Sequence, residues 1–186
     1  DQFNRMHNAA GKMQDLIRDL LSYSRANVNE DDQEYISLND IVEDVKLEFS
    51  ETISEKDAII EVEELGKLKI FHYQFRQLVQ NLIGNALKFS KPGIRPRLQI
   101  KSEFKTGKGL KKAELEPERT YCHLLFRDEG IGFAEEYSDR IFEVFQRLHG
   151  KNNYPGSGVG LAIVKKIVDN HSGHISVESK VDEGST

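Results

Sequence analysis

The sequence carries a single cysteine, which excludes an intramolecular disulfide and a cysteine zinc cluster. That residue, Cys122, stands in the apolar run Tyr121-Cys122-His123-Leu124-Leu125-Phe126, the setting of a buried structural thiol rather than a reactive one. Long hydrophobic runs are missing too. No stretch approaches the roughly 20 apolar residues that cross a bilayer, and no signal peptide opens the chain. An opening at Asp1 is expected of a piece of a longer protein, which leaves an upstream anchor or sensor open. Positive net charge is also lacking. A formal net charge of −5 gives no global attraction to nucleic acid or to an anionic membrane, so no nucleic-acid partner is expected. A polyphosphate ligand would have to be held by a few local cations and backbone amides. There is no internal repeat and no low-complexity tract.

What is present is enough for a globular core: 38% of the 186 residues are hydrophobic, and the length suits one domain with an appendage. Residues 1–27 read as one helix, because Phe3, Met6, Ala10, Met13, Ile17 and Leu20 recur every three or four positions. Ala9, Leu16 and Leu21 widen the stripe, as packing in a multi-helix bundle requires. A lone amphipathic helix docked on the following domain is the alternative. An acidic stretch from Asn29 to Glu34 breaks the pattern and reads as a linker.

Beyond the linker, strand and helix patterns alternate. Strands are expected over 35–38, 58–63, 67–70, 97–104, 120–127 and 174–180. Helices are expected from an Asn39 N-cap to about 54, over 72–89, near 135–145 and over 160–170. The pattern implies an α/β fold, a two-layer α/β sandwich preceded by a long bundle-type helix.

Three segments carry candidate chemistry. Gln77, Asn81, Asn85 and Lys88 lie four, four and three residues apart, which lines them along one helical stripe. Amide oxygens suit a hydrated Mg²⁺ and a lysine suits phosphate, although a solvated polar face fits the stripe equally well. Asp128-Glu129-Gly130-Ile131-Gly132-Phe133 follows an apolar strand. A carboxylate at a strand end can accept a hydrogen bond from an exocyclic amine such as adenine's, and glycines permit close approach, but hairpin turns share this composition. Gly156-Ser157-Gly158-Val159-Gly160-Leu161 precedes a helix, where free amides and the positive dipole end can face an anion, although a flexible connector fits the loop equally well. The dinucleotide fingerprint fails because Leu161 stands where it needs glycine, and no Gly-Lys-Ser/Thr forms a Walker A loop.

In order along the chain, Asn-x-x-x-Asn-Ala-x-Lys, Asp-x-Gly-x-Gly, Phe-x-x-Phe-x-Arg and Gly-x-Gly-x-Gly resemble the GHKL ATPase/kinase superfamily, in particular its sensor histidine kinase branch. Residues 77–90 resemble its N box, 128–133 its G1 box, 142–147 its F box, 156–161 its G2 box and 184–186 its G3 box. The segment 13–25, with Asp19-Leu20-Leu21-Ser22-Tyr23-Ser24-Arg25, resembles the second helix of the dimerisation and histidine-phosphotransfer hairpin. Leu148-His149 and Tyr154 resemble the short lid of phytochrome-like kinases.

The resemblance implies a Bergerat-type ATP-binding domain over 37–186, a linker over 29–36 and a hairpin helix over 1–28. It implies that Asn85 ligates Mg²⁺, with Asn81 and Lys88 near the phosphates of ATP. Phe89 would pack by the adenine, Asp128 would bind its amino group, and Gly130, Gly132 and Phe133 would shape the base pocket. Arg147 would reach a terminal phosphate. Leu148 opens an expected lid reaching Val159, in which Gly156, Ser157 and Gly158, with Gly160, Leu161 and Thr186 beyond it, complete the nucleotide site. The implied function is transfer of the γ-phosphoryl of ATP to a histidine, for relay to an aspartate on a response-regulator receiver domain. The parent would be a homodimer through the hairpin, with its catalytic part cytoplasmic. None of the 6 histidines (His7, His72, His123, His149, His171, His174) lies in the family's acceptor motif, so no catalytic phosphoacceptor is expected on this chain.

Overall fold

The computed structural model describes residues 33–110, 115–146 and 157–186. The helix expected over 1–27 lies outside them. The described chain opens with strand β1 (Glu34–Ser37), which takes in residues 34–36 of the segment expected as linker. β1 pairs antiparallel with β3 (Lys67–Ile70) in a small two-stranded sheet.

Helix α1 (Leu38–Glu48) starts two residues earlier than Asn39 as a cap would allow. Ser37 is the N-cap, its hydroxyl accepting from the Asp40 amide at 3.3 Å. Asn39 instead spans to the turn before β3: its Nδ2 donates to the Glu63 carbonyl and its Oδ1 accepts from the Leu65 amide, both at 2.9 Å. The helix expected to continue to 54 breaks at Phe49, and α2 (Ser50–Glu55) follows as a separate short helix. The break is physical: Ile41, Val42 and Val45 of α1 are buried, whereas α2 buries no residue, so nothing holds the two to one axis.

The main sheet has five strands in the order β2 (Ile59–Val62), β4 (Arg97–Thr106), β5 (Thr120–Asp128), β7 (Gly184–Ser185), β6 (Ser179–Lys180). β2 runs parallel to β4, and the other pairs are antiparallel. α4 (Gly107–Leu110) interrupts the charged connection between β4 and β5. Against the sheet lie α1, α3 (His72–Lys88) and α5 (Gly160–Asn170), forming the second layer of the expected sandwich. α3 presents Phe75, Leu78, Val79, Ile83 and Leu87 to a core shared with Ile41 and Val45 of α1, Leu98 and Ile100 of β4, and Ile163, Val164 and Ile167 of α5. Each such side chain contributes about 1.5–3 kcal/mol by leaving water.

Two expected elements take other forms. The helix expected near 135–145 is a pair of 3₁₀ turns, Glu135–Tyr137 and Arg140–Phe142. Ile141 is the one buried side chain of the two turns, so there is no apolar face to sustain a longer helix. Of the strand expected over 174–180, only Ser179–Lys180 is laddered. Its alternation of half-buried and exposed residues is present from His174 onward, but the place beside the end of β5 is taken by β7, which pairs Ser185 with Asp128. Among the described residues no helix is long and apolar enough to cross a membrane.

Candidate nucleotide site

The C-terminal half of α3, the end of β5, the first turn of α5 and the C-terminal Ser185-Thr186 surround one cavity of about 1010 Å³. Asn81, Asn85, Lys88, Phe89, Asp128, Gly132, Phe133, Ser157, Gly158, Gly160, Leu161 and Thr186 all line it. Gly130 and Val159 are buried and do not line it. Arg147, Leu148 and Gly156 lie outside the described residues.

Of the α3 stripe, Asn81, Asn85 and Lys88 line the cavity, whereas Gln77 does not. Asn81 Nδ2 donates to the Gln77 carbonyl at 2.8 Å, which turns Oδ1 toward the N-terminus of α5. There, a Cβ built on Gly160 would stand 2.6 Å from that oxygen, so the two helices meet as closely as a glycine permits. Lys88 Nζ lies 4.5 Å from the centroid of the Phe89 ring, joining the stripe's cation to its aromatic terminus.

β5 delivers Asp128 to the far wall. Its Oδ1 accepts from the Gly130 amide at 2.8 Å, which fixes the carboxylate at the turn. Burial raises its pKa above the ordinary aspartate value, opposed by backbone amides at Gly130 and Ser185 and by the charge of Lys91. The turn is held from both sides. The Ile131 amide donates to the Phe89 carbonyl at 2.9 Å, and the Asp182 amide donates to the Ile131 carbonyl at 2.8 Å. Gly132 has φ +57°, and a Cβ there would run into the Lys180 carbonyl, so glycine is required for conformation and space alike. The glycines expected to admit a flat ligand thus also let protein backbone approach protein backbone.

The first turn of α5 has no side-chain cap: Val159 occupies the N-cap position, fully buried, and Gly160 and Leu161 line the cavity beside Ser157 and Gly158. A capless N-terminus of an 11-residue helix is a fit for an anion. The Phe145 amide donates to the Gly158 carbonyl at 3.0 Å, tying the F-box segment to this loop. Cys122, on β5, is only half-buried and not fully buried as expected, yet burial still pushes its thiol up to about 11, away from a reactive thiolate.

Some organising residues gave no signal in the sequence. Ser179 Oγ accepts from the Phe133 amide and donates to the Gly184 carbonyl, both at 3.0 Å, joining the Asp128 turn to the C-terminal strand. Those partners lie up to 46 residues away, beyond any spacing pattern.

Comparison with known proteins fits this geometry. Residues 72–186 match the family described as "Histidine kinase-, DNA gyrase B-, and HSP90-like ATPase", and the chain belongs to that family. Within it, the chain is 37% identical over 174 residues to cyanobacterial phytochrome A of Nostoc sp. (strain PCC 7120), covering 94% of this chain and 21% of that protein. It is 31% identical over 159 residues to histidine protein kinase SaeS of Staphylococcus aureus (strain USA300), covering 82% of this chain and 41% of SaeS. The chain thus spans only a fifth to two fifths of these relatives. In fold it is similar to the mycobacterial sensor histidine kinase MprB, with TM-score 0.62 and 24% identity over 82% of this chain and 92% of that one. It is also similar to histidine kinase ThkA, solved in complex with response regulator protein TrrA, with TM-score 0.65 and 22% identity over 98% of this chain and 47% of that one.

Proposed function

We propose that this chain is the ATP·Mg²⁺-holding part of a sensor histidine kinase, whose parent transfers the γ-phosphoryl of ATP to a histidine for relay to a receiver-domain aspartate. The observation that carries the reading is convergence: the Asn81–Lys88 stripe, the Asp128 turn and the open end of α5 share one cavity. Asp128 would accept the adenine amino group with Phe89 and Phe133 beside the ring. Lys88, Gly158 and Gly160 would face the phosphates, and Arg147, Leu148 and Gly156 would complete the site from the lid. Thr186 would close its C-terminal edge. Asn85 would ligate Mg²⁺. Among the described residues no three of His, Cys, Asp and Glu converge on a point, so the ion would take most of its oxygens from phosphate and water. Bound there, Mg²⁺ would neutralise developing charge, while the side chains named here hold and orient the donor.

A hydrolase of the gyrase or Hsp90 kind would use a glutamate as base for water, at the position that Asn81 occupies. A carboxamide cannot accept that proton, and Asn81 is already bonded through Nδ2 to the Gln77 carbonyl. This favours transfer over hydrolysis. The kinase names of the relatives support the same choice, as does the receiver complex of ThkA. We assign residues 1–28 to the second hairpin helix; because β1 pairs with β3, the linker expected over 29–36 is drawn in to 29–33 and the catalytic domain begins at 34. The parent would dimerise through the hairpin and work where ATP is, in the cytoplasm.

Phosphoryl transfer depends on positioning, so a donor site without an acceptor should be nearly inert. With γ-labelled ATP, the chain alone should acquire no acid-labile label, whereas an added hairpin bearing an acceptor histidine should. Label on the chain itself would overturn this assignment and make His7 the first residue to mutate.

A further inference from the structure

Lys56 is the C-cap that follows α2, and its side chain reaches the C-terminus of α3. Nζ donates to the Leu87 carbonyl at 2.6 Å and to Ser90 Oγ at 3.2 Å. Ser90 Oγ in turn donates to the same carbonyl at 2.9 Å. Leu87 is in the last turn of α3, where carbonyls lack intrahelical partners and carry the negative end of the helix dipole. A charged ammonium makes a stronger hydrogen bond there than a neutral donor would. Lys56 is itself held, because the next residue, Asp57, turns with φ +51° and is gripped by Arg95 through its carbonyl and its carboxylate, both at 2.6 Å.

The consequence reaches the cavity within two residues. Leu87 is followed by Lys88 and Phe89, and the Phe89 carbonyl accepts the Ile131 amide in the turn after Asp128. A Cβ on Gly130 would come within 2.6 Å of that same carbonyl, so the Asp128 turn seats on Phe89 with no slack. A displacement of the α3 terminus is therefore passed directly to the carboxylate at the base end of the site. Lys56 does not line the cavity and lies outside the matched residues 72–186.

We infer that Lys56, with Ser90, is a positioning residue for the base end of the nucleotide site: it fixes the α3 terminus on which Phe89 and the Asp128 turn are seated. The inference rests on the reading of the cavity as an ATP site. It acts through geometry, so its removal should weaken every ligand that carries the base, whatever its phosphates.

The test is titration of the full chain with adenosine, ADP and Mg·ATP, comparing wild type with Lys56→Met, Lys56→Arg and Ser90→Ala. Lys56→Met should weaken all three by one common factor, roughly three- to tenfold, the transmitted part of a charge-assisted hydrogen bond. Lys56→Arg should restore most of it, because guanidinium can donate to the same carbonyl. Ser90→Ala, which leaves the lysine in place, should give a smaller common loss and serves as the second variant if Lys56→Met lowers the melting temperature of the free chain. Unchanged affinity in both Lys56→Met and Ser90→Ala would overturn the inference. So would a loss for ADP and ATP with adenosine unaffected, since that is a charge acting on phosphates. Failure of the wild-type chain to bind any of the three would overturn the ATP-site reading itself, and the inference with it.

Discussion

Asn81 Oδ1 and the α-carbon of Gly160 face each other so closely that an added Cβ would sit 2.6 Å from the oxygen. The contact joins the polar stripe of α3 to the open end of α5. Gly160 has no left-handed φ, so alanine fits its backbone and suits a helix better than glycine does. What alanine cannot do is leave Asn81 in place. Gly160→Ala should therefore lower Mg·ATP affinity about tenfold, roughly 1.4 kcal/mol, while the melting temperature of the free chain holds or rises. Calorimetry and thermal melting on the same preparation separate the two effects. A parallel fall in both would mean that the glycine serves the fold rather than the site.

Asp128 sets function against stability. A carboxyl whose folded pKa is raised favours folding fully below its unfolded value and loses that contribution as pH rises through the folded value. At neutral pH the buried charge thus works against the fold. Asp128→Asn removes the charge, and the new amide oxygen can still accept from Gly130. The free variant should melt above wild type at pH 7, with the gap shrinking as pH falls toward the aspartate range. Its adenine-nucleotide affinity should drop on the order of a hundredfold, as expected when one partner of a charged hydrogen bond is lost. A variant that melts lower at pH 7 would contradict the sign.

The elements legible in the sequence are those whose signal is local. β3 and α5 fall where expected, at Lys67–Ile70 and Gly160–Asn170, because each has an apolar periodicity bounded by breakers. α3 starts at His72 as expected and ends one residue before Phe89. The expected residues from Asn81 to Phe89, from Asp128 to Phe133 and from Ser157 to Leu161 mostly line the cavity, Gly130 and Val159 excepted, because they lie in short blocks; the apolar lining from β5 and the 171–177 run gave no such signal. What failed depended on distance. The break at Phe49 follows from α2 having no fully buried residue, only the partly buried Ile53 against the core. The 174–178 run alternates like a strand, yet β7 holds the neighbouring position on β5. Lys56 and Ser179 are ordinary surface-type residues in the sequence. Their partners lie 31 and 46 residues away, and no window on the chain contains both ends.

Asn39 offers a direct test of one such misreading. As an N-cap it would be replaceable by serine, which caps equally well. In the structure it instead bridges α1 to the turn before β3 through Glu63 and Leu65. Asn39→Ser should therefore lose nearly as much stability as Asn39→Ala, about 1–3 kcal/mol for two broken bonds. Ser37→Ala, the true cap variant, should lose about 0.5–2 kcal/mol. Urea denaturation of the three variants at one pH decides. Full stability in Asn39→Ser would restore the capping role.

The far ends of α3 and α5 meet at His171, and this joint makes stability depend on pH. Its Nδ1 donates to the Ile167 carbonyl at 2.7 Å, so Nε2 is free to accept from the Phe71 amide at 3.2 Å. The ring stands edge-on to Phe71 and Phe75, with centroids 5.2 and 5.3 Å away. Only the neutral Nδ1–H form satisfies both bonds. A proton on Nε2 would face the Phe71 N–H, donor against donor, at the residue that caps α3. Burial accordingly holds the His171 pKa below the ordinary histidine value, against the Ile167 carbonyl, which favours the charged form. A histidine with a lowered folded pKa contributes stability above its unfolded value of ~6.5 and loses it as pH falls through the folded value. Denaturation curves from pH 7.5 down to 5 should therefore show a loss in wild type that begins near pH 6.5. His171→Phe keeps the aromatic packing and gives up both hydrogen bonds. It should be less stable than wild type at pH 7.5, with a shallower fall toward pH 5, so that the two curves converge. Asp128, whose raised pKa changes stability in the opposite direction, is common to both proteins and so drops out of the difference between their curves. Curves that stay parallel throughout would show that His171 does not titrate in the joint.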